Sequence, residues 1–419
     1  MPFQRLRGFQ DIYGKEASGF AEALDAARKI FGRFGFEELA TPVLEEKELF
    51  TRALGTDTEV VQKEMYEFED RSKTRVALRP EGTAGIVRAY LENHFDKNQG
   101  LAKFYYAGPM FRSERPQAGR LRQFHQIGVE QLGTDSPYAD AETIHCLTVF
   151  LNAFGIADYK VRLNNLGTFE ERRHFKEELK KYFEPKKGKL CDDCKHRLDK
   201  NVFRILDCKI DSCRAIILKS PPISTFLTES SKAHYTKVCQ ALGLAGVKYE
   251  EDAYMVRGLD YYTKTVFEVS HPKLGSQDAL AAGGRYDHLI ESFGGAPAGA
   301  VGFAIGVERL LMARKTTDHE AAAIFVFIAI LGEEAAVRGF DLVSELRQKG
   351  VAASMDFSAK SLKGQMRAAD KHKSRYVAIL GEDELKKGIV ILKDMKDGSQ
   401  AEIKDKAAAQ ILIEKSKNA

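Results

Sequence analysis

Three arginines in this chain stand at the ends of strand-like segments that contain or adjoin glycines, where their side chains could bind phosphate. Arg112 follows the strand-like residues 104–110, Arg257 precedes Gly258, and Arg309 ends the sequence GFAIGVER. A guanidinium offers paired donors to phosphate or carboxylate oxygens, which the point charge of lysine cannot copy. The chain has neither a GxxxxGK[ST] loop nor a GxGxxG stretch after a strand. These arginines are therefore the candidate anion ligands.

A second candidate is the stretch that begins with Arg112 and Glu114 and continues through a loop at 116–119. From residue 120 to 130 every second residue would lie on one face of a strand. That face carries Arg120, Arg122, Phe124, Gln126 and Glu130. A solvated hairpin is the ordinary interpretation of a polar face. The alternative is the floor of a polar, anion-binding pocket.

Four of the six cysteines have a spacing that is typical of metal sites. Two residues separate the first pair, thirteen residues follow, and four separate the second pair: Cys191, Cys194, Cys208 and Cys213. Four thiolates bind Zn²⁺ tetrahedrally, and a lysine-rich segment with little apolar content would be stabilised by such a cross-link. Reduced thiols without metal are the alternative, because the second spacing is wider than usual.

The elements around these residues change character along the chain. Up to about residue 318, polar-lined strands with hairpin-like connections predict an antiparallel sheet. After it, strands and helices alternate, which predicts a small α/β domain with a mainly parallel sheet. The predicted strands are 324–330, 351–357, 376–380 and an edge strand at 389–392. The predicted helices are 333–349, 362–372 and 402–414.

The length of 419 residues allows two to four domains, at roughly 100–200 residues per domain. Five of the six cysteines and a run of lysines fall between about 169 and 245, which predicts an inserted module. The predicted division is a first domain in two parts, 1–168 and 246–318, the insertion 169–245, and a second domain 319–419.

Charge and hydropathy predict a cytoplasmic protein that does not enter membranes. The net charge of +4 neither demands nor excludes a nucleic-acid partner. The N-terminal residues lack the apolar region of a secretory signal. The longest apolar run, 321–331, has eleven residues and is too short to span a bilayer.

Taken together, these stretches resemble the class II aminoacyl-tRNA synthetases and, among them, the histidyl-tRNA synthetase family. The resemblance covers nearly the whole chain. The class is indicated by residues 36–42, 111–130 and 302–309, which resemble motifs 1, 2 and 3, and by LRPEGT at 78–83. The histidine family is indicated by RGLDYY at 257–262 and AAGGRYD at 281–287.

The resemblance implies an α+β fold: an antiparallel-sheet catalytic domain with a helical insertion, followed by a small α/β anticodon-binding domain. It implies a homodimer, through motif 1. The implied reaction ligates L-histidine to tRNA(His) through a histidyl-adenylate, with release of AMP and pyrophosphate. ATP enters as its Mg²⁺ complex, and Zn²⁺ stays a possible structural ion.

Roles for individual residues also follow from the resemblance. The catalytic residues would be Arg112 and Arg257, which hold the α-phosphate from opposite sides. ATP would be bound by Arg112, Glu114, Phe124 and Arg309, with adenine between the last two. Histidine would be bound by Glu81, Gly82, Thr83, Arg112, Gln126, Glu130, Arg257, Tyr261 and Tyr262. Glu130 would accept a hydrogen bond from the imidazole.

Two surfaces would contact tRNA. The predicted helix 362–372 carries Lys363, Arg367 and Lys371 on one face, in the domain that the family uses for the anticodon. The loop 113–121 of motif 2 would approach the acceptor end.

Two other functions share the fold. One is a paralogue that regulates the first enzyme of histidine biosynthesis and lacks the C-terminal domain. The other is a binding module with a degenerate active site. The arginines at 112, 257 and 309, Glu130 and the C-terminal domain are all present, which favours the enzyme.

Overall fold

The computed structural model describes residues 3–56, 58–257, 261–275, 278–314, 324–357 and 360–418. The chain divides into two compact units, Met1–Thr317 and Asp318–Ala419. Apolar clusters fill the interior of each unit separately. None of the helices in the described part of the chain combines the length and the apolar character that a bilayer crossing requires.

The first unit is built on a large sheet. The strands of this unit are β1 Glu37–Glu38, β2 Leu44–Glu46, β3 Glu67–Glu69, β4 Arg75–Leu78, β5 Ala102–Phe111, β6 Gln123–Leu132, β7 Lys160–Asn165, β8 Glu250–Glu251, β9 Thr263–Ser270, β10 Ala279–Arg285 and β11 Ala300–Gly306. Eight strands pair in the order β1-β5-β6-β11-β10-β9-β7-β8, and β2-β4-β3 form a separate small sheet. Only the outermost pairs, β1 with β5 and β7 with β8, are parallel in the large sheet. The predicted antiparallel sheet is confirmed.

Helices surround this sheet. They are α1 Gly14–Arg33, α2 Lys47–Leu54, α3 Thr83–Glu92, α4 Phe95–Asn98, α5 Pro137–Ala153, α6 Phe169–Phe183, α7 Asp192–Lys200, α8 Asp211–Ile217, α9 Glu229–Leu244, α10 Leu289–Ser292 and α11 Val307–Ala313. Short helical turns lie at Val60–Glu64, Glu184–Lys189, Val202–Ile205, Ile223–Phe226 and Pro272–Leu274.

The strand predicted from residue 120 begins three residues later. Arg120 closes a tight turn with Gln117 through backbone hydrogen bonds of 3.0 and 2.9 Å in the two directions. The Arg122 backbone N–H donates to the carbonyl of Gly8 at 2.8 Å. Because these backbone groups are used elsewhere, regular pairing with β5 starts at Gln123.

The two faces of the large sheet have different partners. Ile127 and Val129 of β6 lie in the apolar cluster with Phe31 of α1 and Phe150 of α5. Since side chains alternate along a strand, the intervening residues of β6 point to the opposite face. That face is the one left for a binding site.

The helices between β7 and β8 lie on both sides of the sheet. Apolar residues of α6 to α8 join the cluster on the cleft side. Helix α9 packs on the other side, where Val238 and Leu242 join the cluster around α5 and His234 Nε2 lies 2.9 Å from Asp140 Oδ2. The segment 169–245 is therefore helical, and its last helix packs against α5.

In the part of the second unit that the structure describes, a five-stranded sheet packs with four α-helices. Its elements are β12 Val326–Leu331, α12 Glu333–Gln348, β13 Ala353–Met355, α13 Leu362–Lys371, β14 Tyr376–Gly381, α14 Glu382–Lys387, β15 Ile389–Asp394, β16 Gln400–Lys404 and α15 Ala408–Lys417. The strand order is β13-β12-β14-β15-β16.

Three predictions for this unit were wrong. The sheet is mixed, because β14 pairs with β15 and β15 with β16 in antiparallel fashion. Strand β15 is not an edge, and residues 400–404 form β16 rather than the start of the last helix. The missed feature is a hairpin loop: Gly398 has a φ of 77° and donates its N–H to the Asp394 carbonyl at 2.9 Å, which returns the chain to the sheet.

Candidate active site

A cleft of about 970 Å³ opens on the face of the large sheet opposite α1 and α5. Eleven of the twelve residues expected to bind histidine or ATP line it: Glu81, Thr83, Arg112, Glu114, Phe124, Gln126, Glu130, Arg257, Tyr261, Tyr262 and Arg309. They come from β5–β6, β9, β11 and the segments beside them. The twelfth residue, Gly82, packs against the ring of Tyr106, which would lie 2.3 Å from a Cβ added to this glycine.

Glu130 lies on the cleft face of β6 and is 1% exposed. Its Oε1 accepts a hydrogen bond of 2.6 Å from the Thr83 hydroxyl, and its Oε2 accepts one from the Tyr286 hydroxyl. Gly302 on the neighbouring strand leaves the space that the carboxyl group fills, since a Cβ there would lie 1.7 Å from Oε2. Burial, helped by the nearby charge of Glu81, raises the pKa of Glu130 to about 8.

Glu81 lies beside it at the start of α3. Its carboxylate accepts hydrogen bonds from the backbone N–H groups of Thr83 at 2.7 Å and Ala84 at 2.9 Å. Burial raises its pKa, and these two N–H donors oppose the rise. The Glu81 carboxylate therefore stabilises the N-terminus of α3. Its oxygens can accept further hydrogen bonds from a ligand in the cleft.

Tyrosines form the wall around Glu130. The rings of Tyr261 and Tyr262 lie 4.7 Å apart, and Tyr286 meets Tyr261 edge-on at 5.5 Å. Burial raises the pKa of Tyr262 to about 12, so its hydroxyl is a neutral donor and acceptor at neutral pH. Tyr106 completes the wall, and Gly128 makes room for its ring, because a Cβ there would be 2.4 Å away.

Arg257 forms an ion pair with Glu268 of β9. The other oxygen of Glu268 lies 2.6 Å from a guanidinium nitrogen of Arg162. Burial lowers the pKa of Arg257, but the charge and hydrogen bond of Glu268, together with the Tyr262 hydroxyl, outweigh burial and raise it overall. Within the described residues, the buried Nε of Arg257 has no hydrogen-bond partner, which leaves it available to a ligand.

The other end of the cleft is rich in guanidinium groups. Arg112 lies over the Phe124 ring, 5.4 Å from its centroid, and donates from Nε to the Pro80 carbonyl at 2.9 Å. Arg309 donates to the carbonyls of Gly119 at 2.8 Å and Ala279 at 2.6 Å.

Arginines and carboxylates are mixed at this end. Arg120 lies 2.5 Å from Glu114, and Glu64 and Asp278 line the same cleft as Arg112 and Arg309. Burial lowers the pKa of Arg309, and the charges of Arg120 and Arg112 lower it further. A phosphate would relieve this repulsion.

Several contributors were missed in the sequence. Tyr286 was in a recognised stretch but had no role, and Tyr106, Arg162 and Glu268 were not considered. A signal existed for Glu268: the alternation that places Phe267 in the apolar cluster puts the next residue on the cleft face. The backbone N–H of His125 donates to the Glu308 carboxylate at 2.9 Å.

The four candidate metal ligands converge. The sulfur atoms of Cys191, Cys194, Cys208 and Cys213 all lie within 4.8 Å of one another, and the first and third are 3.9 Å apart. Zinc–sulfur bonds of about 2.3 Å in a tetrahedron place sulfur atoms about 3.8 Å apart. The donor set and its spacing suit Zn²⁺. Cys208 also lines the cleft.

Comparison with known proteins identifies the family. A family model described as "Histidyl-tRNA synthetase" matches residues 8–310. The chain belongs to the histidyl-tRNA synthetase family. A second model, "Anticodon binding domain", matches residues 326–415. The resemblance to the synthetase family is therefore confirmed over both units. The α+β fold class is confirmed as well.

Individual relatives agree with this family. The histidine–tRNA ligase of Thermotoga sp. strain RQ2 is 44% identical over 418 residues, which cover 99% of each chain. The crystal structure of apo S. aureus histidyl-tRNA synthetase has a TM-score of 0.80 and 32% identity, and the match covers 98% of this chain and 100% of that one.

A second structure shares the fold alone. It is described as an ATP phosphoribosyltransferase regulatory subunit/histidyl-tRNA synthetase from Bacillus halodurans C, with a TM-score of 0.68 and 19% identity over 91% of this chain and 99% of that one. The same fold is therefore found in a structure whose name includes a regulatory role. Because the fold does not distinguish a regulator from a synthetase, the choice between these functions rests on the chemistry of the site.

Proposed function

We propose that this protein ligates L-histidine to tRNA(His) with ATP, through a histidyl-adenylate. The observation that carries the proposal is one cleft with a buried carboxyl group, Glu130, at one end and three guanidinium groups with Phe124 at the other. Such a cleft suits an imidazole and a nucleotide phosphate side by side. A regulator that only senses histidine has no need for the arginine end.

The histidine end would recognise both the ring and the α-amino group. Glu130 would hydrogen-bond one imidazole nitrogen and the Tyr262 hydroxyl the other. Because the pKa of Glu130 is about 8, the carboxyl proton can pass to the entering imidazole, so no uncompensated charge is buried. Glu81, Thr83 and Gln126 would accept from the amino group; Gln126 Oε1 is buried without a partner among the described residues.

The nucleotide end would position ATP, as its Mg²⁺ complex, for attack. Phe124 and Arg309 would enclose adenine, and Glu114 would lie beside the nucleotide. The histidine carboxylate then attacks the α-phosphorus and pyrophosphate leaves. Arg112 and Arg257 would stabilise the charge that develops on the phosphoryl oxygens from opposite sides. A ribose hydroxyl of tRNA next attacks the activated carbonyl, and AMP leaves.

The remaining partners are proposed from exposed charge and from the position of a loop. Helix α13 presents Lys363, Arg367 and Lys371 as exposed side chains, which suits the tRNA backbone. The loop 113–121 borders the arginine end of the cleft and would meet the acceptor end of tRNA. We further infer a homodimer that works in the cytoplasm, and sedimentation at assay concentrations tests the dimer.

Histidine-dependent ATP–pyrophosphate exchange tests the function. The purified chain should exchange label only with L-histidine and ATP together, and should then charge tRNA(His). Arg257→Ala should lower the kcat of exchange by about 10²–10³-fold while the KM for ATP changes little, as for a group that acts in the transition state. Absence of exchange in the unaltered protein would favour the regulator, and an effect confined to KM would refute the role of Arg257.

We also propose that the four clustered cysteines bind one Zn²⁺. Elemental analysis after metal-replete purification should find about one zinc per chain, as a four-thiolate site requires. Cys213→Ser should lose the zinc, whereas the control Cys239→Ser, which changes a thiol outside the cluster, should retain it. A zinc content well below one in the unaltered protein would leave the cysteines as unliganded thiols.

A further inference from the structure

One side chain of the inserted segment 169–245 reaches the backbone at the histidine end of the cleft. Arg172 lies in the first turn of α6, and its Nη1 donates a hydrogen bond to the carbonyl of Tyr262. Tyr262 lines the cleft and is buried. A hydrogen bond from a charged guanidinium is stronger than one between neutral groups. The first inserted helix is therefore joined directly to a residue of the proposed histidine site.

The start of β9 receives contacts from the segment that leads into α6. Tyr262 precedes the strand, which begins at Thr263 and changes register with β10 near this end. Lys264 has a φ of 45°, far from the value of a regular strand. Its N–H donates to the Gly167 carbonyl and its carbonyl accepts from the Leu166 N–H, both at 2.7 Å. Because the pairing with β10 is irregular here, these contacts and the bond from Arg172 help to fix the Tyr262 backbone.

The position of the Arg172 guanidinium is itself fixed by packing. It lies over the rings of Phe169 and Phe203, 5.3 and 5.4 Å from their centroids, and a cation is attracted to such aromatic faces. The turn of α6 that carries it is tied to α9, because the Glu171 carboxylate accepts a hydrogen bond of 2.8 Å from the Ser231 hydroxyl. The donor to Tyr262 is therefore held by α6, by α9 and by the helical turn that contains Phe203.

The Tyr262 ring packs closely against the neighbouring strand. A Cβ added to Gly284 of β10 would lie 2.8 Å from Tyr262 Cδ1, and the centroid of the Tyr261 ring lies 4.7 Å away. The ring is rigid, so a shift of the Tyr262 backbone tilts it and displaces the hydroxyl at its far end. A displacement of about 1 Å in an active site can cost about 10²-fold in rate. The bond from Arg172 therefore bears on where this hydroxyl lies in the cleft.

We propose that Arg172 is a positioning residue for histidine recognition, which acts by holding the Tyr262 backbone so that the Tyr262 hydroxyl meets the imidazole. The inserted segment then forms part of the amino-acid site. This inference rests on the proposed function. It assigns the inserted segment a role in the first half-reaction, before any contact with tRNA.

Substitution of the guanidinium tests the positioning role. Arg172→Ala should raise the KM for histidine in pyrophosphate exchange by about tenfold, with a change of less than about twofold in the KM for ATP. Arg172→Lys should recover part of the loss, because an ammonium group can donate to the carbonyl but lacks the planar shape of the guanidinium.

The matched control is Arg173→Ala on the same helix. The Arg173 side chain is 74% exposed and lies 3.9 Å from Glu170, so its removal should leave both KM values near normal. Equal KM values for histidine in Arg172→Ala and Arg173→Ala would overturn the proposal.

A double substitution separates positioning from a general effect on folding. Tyr262→Phe removes the hydroxyl that Arg172 is proposed to place. In that background Arg172→Ala should raise the KM for histidine by less than about twofold, because substitutions that act on one shared group are not additive. An equal rise in both backgrounds would show that Arg172 does not act through this hydroxyl and would overturn the proposal.

Equilibrium dialysis separates this inference from the proposed function, because it measures binding without catalysis. Arg172→Ala should bind L-histidine about tenfold more weakly and ATP nearly as well as the unaltered protein. Unaltered protein that binds L-histidine but shows no pyrophosphate exchange would contradict the proposed ligase alone, and dialysis would still compare the variants. Equal histidine affinities of Arg172→Ala and the unaltered protein would overturn the positioning role alone.

Discussion

Glu130 shows how a single buried residue can set both specificity and charge. The carboxyl group receives hydroxyl donors from Thr83 and Tyr286 and meets no arginine or lysine ion pair among those of the described residues. Without a cationic partner, burial favours the protonated form. An imidazole supplies the missing cation when it takes the proton. An amino acid that cannot do so leaves a buried polar group unpaired.

Glu130→Gln should separate histidine binding from ATP binding. The amide keeps the size of the side chain but can neither donate this proton nor carry the charge. We expect histidine affinity to fall by about 10–100-fold, the loss of one charge-assisted hydrogen bond, while ATP affinity persists. Equilibrium dialysis with each ligand measures both. Unchanged histidine binding would show that another group reads the ring.

The same substitution should change how stability depends on pH. In the unfolded chain the carboxyl titrates at its ordinary value of 4.5, whereas in the folded chain its pKa is about 8. Between these values the folded form binds the extra proton, so this group's contribution to stability falls as pH rises, by up to about 1.4 kcal/mol per pH unit.

Urea unfolding at pH 5.5, 6.5 and 7.5, chosen as roughly even steps inside that window, measures the effect. The stability difference between Glu130→Gln and the unaltered protein should shift in favour of the variant as pH rises. A constant difference over the three pH values would show that Glu130 is ionised throughout.

At the scale of elements, glycines on the sheet decide where the site can form. Gly302 of β11 pairs with Glu130 of β6, and its missing side chain is the space that the carboxyl group occupies. Gly128 likewise leaves room for Tyr106. Tight approach on the cleft face is possible because the opposite face is packed by α1 and α5, which hold the strands in register.

Gly302→Ala should therefore damage histidine binding from a neighbouring strand. Its Cβ would lie 1.7 Å from Glu130 Oε2 and 2.4 Å from the Val129 carbonyl, so the carboxyl group must move. We expect the KM for histidine in pyrophosphate exchange to rise by about tenfold or more.

The control is Gly306→Ala on the same strand, where an added Cβ meets its nearest atom, Arg309 Cδ, at 3.7 Å. It should leave the KM for histidine near its normal value. Equal effects of the two alanines would point to a general weakening of β11 rather than to displacement of Glu130.

At the scale of the whole molecule, each unit contains the apolar clusters that stabilise it. The clusters of the first unit end at Ala313, and those of the second begin at Val326. Among the described residues, all those that line the cleft belong to the first unit. Chemistry on histidine and ATP and recognition of tRNA can therefore be tested separately.

A chain ended at residue 317 should keep adenylate formation and lose tRNA affinity. Pyrophosphate exchange should stay within about threefold of the complete chain, while kcat/KM for tRNA falls by about 10²-fold or more, as expected when several phosphate contacts are lost. Aminoacylation assays at several tRNA concentrations measure the second quantity. If the shortened chain aminoacylates tRNA as efficiently as the complete chain, the second unit does not contribute to tRNA recognition.

A charge variant of the complete chain checks the same point without a deletion. Alanines at Lys363, Arg367 and Lys371 should raise the KM for tRNA and weaken its dependence on salt. The control places three alanines at Lys386, Lys387 and Lys417, which are exposed on other helices of the same unit. If both triple variants behave alike, the effect comes from total charge and α13 is not the binding face.

The sequence by itself determined the family, the fold class and eleven of the residues that line the cleft. Its strongest signals were local: paired motif residues, the two-residue period from Phe124 to Glu130, and the four-residue spacing of charges on α13. Such patterns follow from the geometry of one strand or one helix. They failed at β15 and β16, because whether a strand lies at an edge depends on a hairpin loop farther along the chain.

Only the tertiary structure decided which groups meet. The Thr83 hydroxyl, the Tyr286 hydroxyl and Gly302 converge on Glu130 from three distant segments, and the Glu268 carboxylate of β9 brings Arg257 and Arg162 together. The physical reason is that strand register and the packing of the inserted helices set these distances. Neither quantity is written in the spacing of residues along the chain.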